Sequence, residues 1–176
     1  MAALQTSEIN TKAQEAFWSD LQQFRFDLFY YCNHYKKCIT ILRWIKYIVV
    51  GLTSVSTLVW IEWSSISPIP IICSIVILAL QVFNAISDLF PFSQRKDELR
   101  DLTNDLDPLY IEMESIWRKI AEGELTIFEI NKSIDDFANK RFQIERNYLK
   151  NDFLKEQKKI VEKTEKQTQA YFDPFK

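Results

Sequence analysis

The stretch YIVVGLTSVSTLVWI, Tyr47–Ile61, decides how this chain is read, because it holds no charged residue in a protein that is 26% charged overall. Extended back to Ile39, the run is interrupted only by Arg43 and Lys46. Both have long side chains that can snorkel toward lipid headgroups near a helix end. A second uncharged run, Trp63–Ser87, exceeds the roughly 20 residues that span hydrocarbon. Pro68 and Pro70 stand where that helix would begin, the position proline tolerates best. The pattern predicts a transmembrane hairpin with spans at about Leu42–Ile61 and Ile69–Phe90, joined by the short connection Glu62–Pro68. A soluble core of this size would struggle to enclose two helices that are apolar all round.

Working outward, the small net charge of −2 conceals strong segregation. Lys36, Lys37, Arg43 and Lys46 precede or open the first span, Arg95, Lys96 and Arg100 follow the second, and the connection has no base. The positive-inside rule then puts both termini in the cytoplasm, and Met1–Asn10 lacks the pattern of a signal peptide. Residues 97–136 hold four bases against twelve acids, and 137–169 hold nine against five. The near-neutral total argues against a binder of duplex nucleic acid. Gly51 and Gly123 are the only glycines, so a phosphate-cradling loop, a dinucleotide fingerprint and a nucleophile elbow are excluded.

Outside the expected hairpin the chain reads as heptads. Phe17, Leu21, Phe24, Leu28, Tyr31 and Tyr35 are spaced 4, 3, 4, 3, 4, and the register continues through Cys38 and Leu42. One helix from about Ser7 to Ile61 is the simplest reading. Leu99, Leu102, Leu106, Leu109, Met113, Ile116 and Ile120 form a second seam, with Pro108 expected to kink or divide it. Gly123 should end that helix, and Thr126-Ile127-Phe128-Glu129 reads as a capping box opening the next. There Ile127, Ile130, Ile134, Phe137, Arg141, Ile144 and Tyr148 keep the heptad spacing. The Lys/Glu-rich stretch 151–176 is expected to be a solvated helix or a partly ordered tail. The organisation is therefore a cytoplasmic amphipathic helix (1–41), the hairpin (42–90), a cytoplasmic helical region (91–150) and a charged tail (151–176). The expectation is an all-α membrane protein, a two-helix transmembrane hairpin whose long cytoplasmic helices form an oligomeric bundle.

Two constellations carry candidate chemistry. Ser74, Gln81, Asn84 and Asp88 make one polar stripe on the second span. It fits a pore lining, in which a ring of Asp88 carboxylates attracts cations, as well as it fits helix–helix hydrogen bonding. Two spans enclose no passage alone, so a pore requires several subunits around an axis. Lys140, Arg141, Arg146, Tyr148 and Lys150 could hold an anionic, phosphate-containing ligand. The plainer reading is an exposed helix surface with i,i+4 pairs such as Asp136–Lys140 and Arg141–Glu145, although Arg141 on an apolar seam demands a partner. Cys32, His34 and Cys38 project in different directions from a helix and lack a fourth ligand, so no metal and no cofactor is expected. No nucleophile–base set can be assembled, and the chain does not read as an enzyme.

This arrangement of lead-in helix, hairpin at 42–90 and long helices split by Gly123-Glu124-Leu125-Thr126 resembles the SLATT family of two-transmembrane effectors, of the kind paired with a nucleotidyltransferase in Hailong-type antiphage systems. The resemblance implies a homo-oligomeric ion channel, with a tetramer favoured, in the bacterial inner membrane. A nucleotide or oligonucleotide from the partner nucleotidyltransferase would control it, and its opening would depolarise the host membrane during phage infection. The alternative is a non-conducting, membrane-anchored scaffold that recruits a cytosolic partner through its heptad seams.

Overall fold

The computed structural model describes residues 2–63, 72, 74–79, 81, 91–149, 154 and 156–175. Its regular elements are α-helices, closed by one short 3-10 turn. They are α1 (Ala2–Trp63), α2 (Pro91–Ala121), α3 (Ile127–Leu149) and α4 (Lys158–Phe172), followed by the turn Asp173–Phe175. Residues 72, 74–79 and 81 are also helical. The chain divides into two compact units, one of Met1–His34 with Glu98–Lys176, the other of Tyr35–Asp97.

The helical expectation holds, but the membrane hairpin does not. Among the described residues no helix is long and apolar enough to cross a membrane. In α1 the longest charge-free stretch is Tyr47–Ile61, fifteen residues between Lys46 and Glu62. That is short of the roughly 20 a span needs, and Gly51, Thr53, Ser54, Ser56 and Thr57 dilute it further. Of the second expected span, 72, 74–79 and 81 are described and the remainder lies outside the described residues. The all-α membrane fold class, the ion channel and the multi-pass inner-membrane location with cytoplasmic termini are therefore corrected together, since all three rested on these spans.

In the first unit the heptad seams close on one another within one chain. Phe17, Leu21, Phe24 and Leu28 of α1, Leu99, Leu102, Leu106 and Met113 of α2, and Ile130 and Phe137 of α3 are all buried. Phe17 stacks on Trp117 at 6.2 Å between ring centroids and meets Phe137 edge-on at 6.3 Å. Burying rings of this size is the largest favourable term such a bundle has. Helix α2 continues through Pro108. It ends at Gly123 (φ 76°), where Gly123 N donates to Ile120 O and Glu124 N to Lys119 O, the two bonds of a Schellman cap. The capping box is also in place. Thr126 N donates to Glu129 Oε2 at 2.8 Å, and Glu129 N donates back to Thr126 Oγ1 at 3.4 Å. The bond from Thr126 N, with one from the Thr126 hydroxyl to the same carboxylate oxygen at 2.8 Å, holds the Glu129 carboxyl below its ordinary range.

Helix α4 is more than a solvated tail. Ile160, Thr164 and Phe172 are buried, and Phe172 sets its ring edge-on to Trp18 at 5.2 Å. The Arg25 guanidinium lies among three rings, 4.1 Å from the centroid of Tyr171, 4.5 Å from Phe29 and 4.8 Å from Tyr110. Asn33, itself buried, donates to Thr164 Oγ1 at 3.1 Å and to Gln167 Oε1 at 2.6 Å. Aromatic, cation–π and amide contacts thus fasten α4 to α1 and α2.

Candidate functional site

Arg141 is the one charged member of the α3 seam, and it obtains the partner its position demands from two directions. Its Nη2 donates to Asp27 Oδ2 on α1, and its Nε donates to Glu145 Oε1 one turn along α3, at 2.9 Å. Gln23 donates to the other Asp27 oxygen at 3.0 Å, and the Tyr31 hydroxyl donates to Glu145 Oε1 at 3.0 Å. Burial pushes the Asp27 carboxyl above its ordinary value despite Arg141 beside it. Burial and the Glu145 carboxylate push the Tyr31 hydroxyl up as well. Burial alone would disfavour the Arg141 charge, but Asp27 and Glu145 outweigh it and raise that pKa. The group is a partly buried ionic and hydrogen-bonded network, the arrangement in which removing one member leaves the others uncompensated.

The rest of the basic cluster does not converge on a ligand. Lys140 crosses to Glu112 on α2 at 3.1 Å, in place of the Asp136 pairing expected along its own helix. The Tyr148 hydroxyl donates to Asp105, which raises its pKa. Arg146 is exposed, and Lys150 lies outside the described residues. Three members of the expected anion site therefore face carboxylates of the protein itself.

Beside Arg141 a cleft of about 230 Å³ opens between α1 and α3, with Met113 of α2 at its base. Asp20, Gln23 and Phe24 line one wall, and Phe137, Arg141, Phe142 and Glu145 line the other. The sequence marked Arg141 but missed Asp27, Asp20 and Glu112. An apolar seam with one charge says that a counter-charge must exist, and says nothing about which helix supplies it.

In the second unit Ser74 and Gln81 are helical and exposed, while Asn84 and Asp88 lie outside the described residues. Large apolar side chains here are uncovered. Trp44, Tyr47, Ile48, Val50, Ile72, Ile75 and Leu78 are 55% to 63% exposed. Cys38 is buried and its thiol is pushed up by that burial, the opposite of an activated nucleophile. His34 is buried with its ring 4.6 Å from Tyr30. Among the described residues no group of three His, Cys, Asp or Glu side chains is placed to hold a metal ion.

Comparison with protein families, curated proteins and solved structures gives no match to this chain. These comparisons lend no support to the SLATT resemblance.

Proposed function

We propose that the chain is a non-catalytic helical interaction module that associates with further copies of itself through residues 35–97. The carrying observation is the contrast in cover. The α1 and α2 seams of the first unit are largely buried within one chain, whereas seven large apolar residues of the second are more than half exposed. Apolar side chains gathered in this way mark an association surface, and copies of one chain bring matching surfaces to a closed symmetric assembly. The non-catalytic part is supported by chemistry, since the buried histidine and the suppressed Cys38 thiol offer neither base nor nucleophile. Control by a nucleotide, which the resemblance implied, draws no support from Lys140, Arg141 and Tyr148, because each already faces a carboxylate.

Sedimentation velocity of the purified chain tests this reading. The expected result is a concentration-dependent species at a multiple of 20.9 kDa. The triple substitution Trp44→Ser, Tyr47→Ser, Ile48→Ser should return it to the monomer with unchanged helicity. A monomer at every concentration, or an oligomer indifferent to the triple substitution, refutes it.

A further inference from the structure

In the second unit, α1 carries a glycine that its own chain does not use. Gly51 lies in the helix interior, where glycine is a poorer helix former than alanine. A Cβ added there would meet nothing within 4 Å, so no neighbour in the chain exploits its absence. One turn on, the exposed Ser54 folds its hydroxyl back onto Val50 O at 2.9 Å and adds little bulk of its own. Trp44, Tyr47 and Ile48 precede the glycine, and all three are more than half exposed. Positions 44, 51 and 58 follow heptad spacing, and the sequence continues the stripe with Val55 and Leu58 before the helix ends at Trp63. The exposed stripe is bulky at its start and bare at Gly51, the form that lets another backbone approach closely.

Charge decides the direction in which that other backbone runs. Lys36, Lys37, Arg43 and Lys46 are exposed, and the sequence has no acid between Asp27 and Glu62. Two copies of the helix packed parallel and in register set these bases against themselves and Glu62 against Glu62, which is repulsive at both ends. Reversing one copy about Gly51 removes both conflicts. Position 62 of each copy then stands opposite position 40 of the other, within about one turn of Lys36, Lys37 and Arg43. Position 44 meets 58, and Trp63 reaches position 39. The overlap is about 36 Å long at 1.5 Å per residue, and it stays inside the second unit.

We propose that α1 packs antiparallel on α1 of a second copy, crossing at Gly51, with Glu62 of each copy answering Lys37 of the other. The same patch serves both copies, so the contact closes on a dimer. Resting on the self-association proposed above, this arrangement adds to it a stoichiometry, a face and a direction.

Disulfide cross-linking of the full-length chain tests the direction, in a background carrying Cys32→Ser, Cys38→Ala and Cys73→Ser. Gly51→Cys should link to its own copy. Trp44→Cys should not, because its two copies lie about 21 Å apart along the axis, but mixed with Leu58→Cys it should give a 44–58 link. Sedimentation velocity supplies the energetic arm. Gly51→Leu favours the helix and meets no neighbour within the chain, so helicity should be kept while the dimer weakens by at least tenfold. Lys37→Glu and Glu62→Lys should each weaken it by about tenfold, since symmetry makes every change twice, and the double substitution should restore it. A dimer in which Trp44→Cys links to itself with no 44–58 link overturns the antiparallel arrangement and leaves self-association standing. So does a dimer indifferent to Gly51→Leu, or one that the double charge reversal does not rescue. A monomer at every concentration overturns both.

Discussion

Helix α1 presents apolar residues at helical spacing in both of its regions, and their fates differ. In the first unit Phe17, Leu21, Phe24 and Leu28 are at most 3% exposed, because the chain returns α2 and α3 to them. In the second, Trp44, Tyr47 and Ile48 have comparable spacing and bulk but stand more than half exposed. Spacing alone therefore specifies a face, and whether that face becomes core or interface depends on whether the same chain supplies its cover. Charge behaves the same way. Arg141 finds carboxylates at two sides in the first unit, while Lys36, Lys37, Arg43 and Lys46 of the second remain exposed.

Core truncation gives the most forceful test of that contrast. Phe17→Ala should cost about 3–5 kcal/mol in urea denaturation, since the ring is fully buried between Trp117 and Phe137. An effect near zero would mean the first unit is not the packed body it resembles. Arg141→Met should follow at roughly 2 kcal/mol, because it leaves Asp27 and Glu145 facing each other in a partly buried site. Thr126→Ala removes one half of the α3 capping box and should cost about 1 kcal/mol, read from the same denaturation curves.

The pH dependence of unfolding sharpens the electrostatic side. The folded state holds the Asp27 proton more tightly than the unfolded chain does, so this group makes stability fall as pH rises from the ordinary carboxylate range through the raised folded value. Glu129 has the opposite sign. Its depressed pKa contributes stability that is present above the ordinary carboxylate value and lost on acidification. Asp27→Asn should therefore abolish a downward component of the stability curve just above the ordinary carboxylate range, whereas Glu129→Gln should reduce acid sensitivity. Identical slopes in wild type and Asp27→Asn would show that the buried carboxyl has no raised affinity for its proton.

Much of the helical framework was legible in the residues. Gly123 and the Thr126–Glu129 box fix local backbone geometry through contacts no more than five residues apart, so the sequence states them directly. The seams at 17–28 and 99–120 were legible for the same reason, because periodicity is local. The hairpin misled because an uncharged run of Ser, Thr and Gly among aliphatic residues counts as apolar when charge alone is read. Helix α4 was under-read because its inward face includes Thr164 and Gln167, polar residues whose partner Asn33 stands more than 130 residues away. The same distance problem hid Asp27 and Glu112 from Arg141 and Lys140. A side chain announces a need for neutralisation, but only the tertiary fold names the neighbour.

The bond from Asn33 to Thr164 has a consequence for how the protein is made. The two residues are separated by 131 positions, and Tyr31 and Glu145 by 114. Synthesis at about 5–20 residues per second delivers α1 many seconds before α3 and α4 exist to cover it. During that interval Phe17, Leu21, Phe24 and Leu28 emerge from the ribosome as an unsheltered aromatic and aliphatic edge. Nascent chains of this protein should thus be clients for ribosome-associated holding chaperones until α4 is released, and a truncation that removes α4 should remain one.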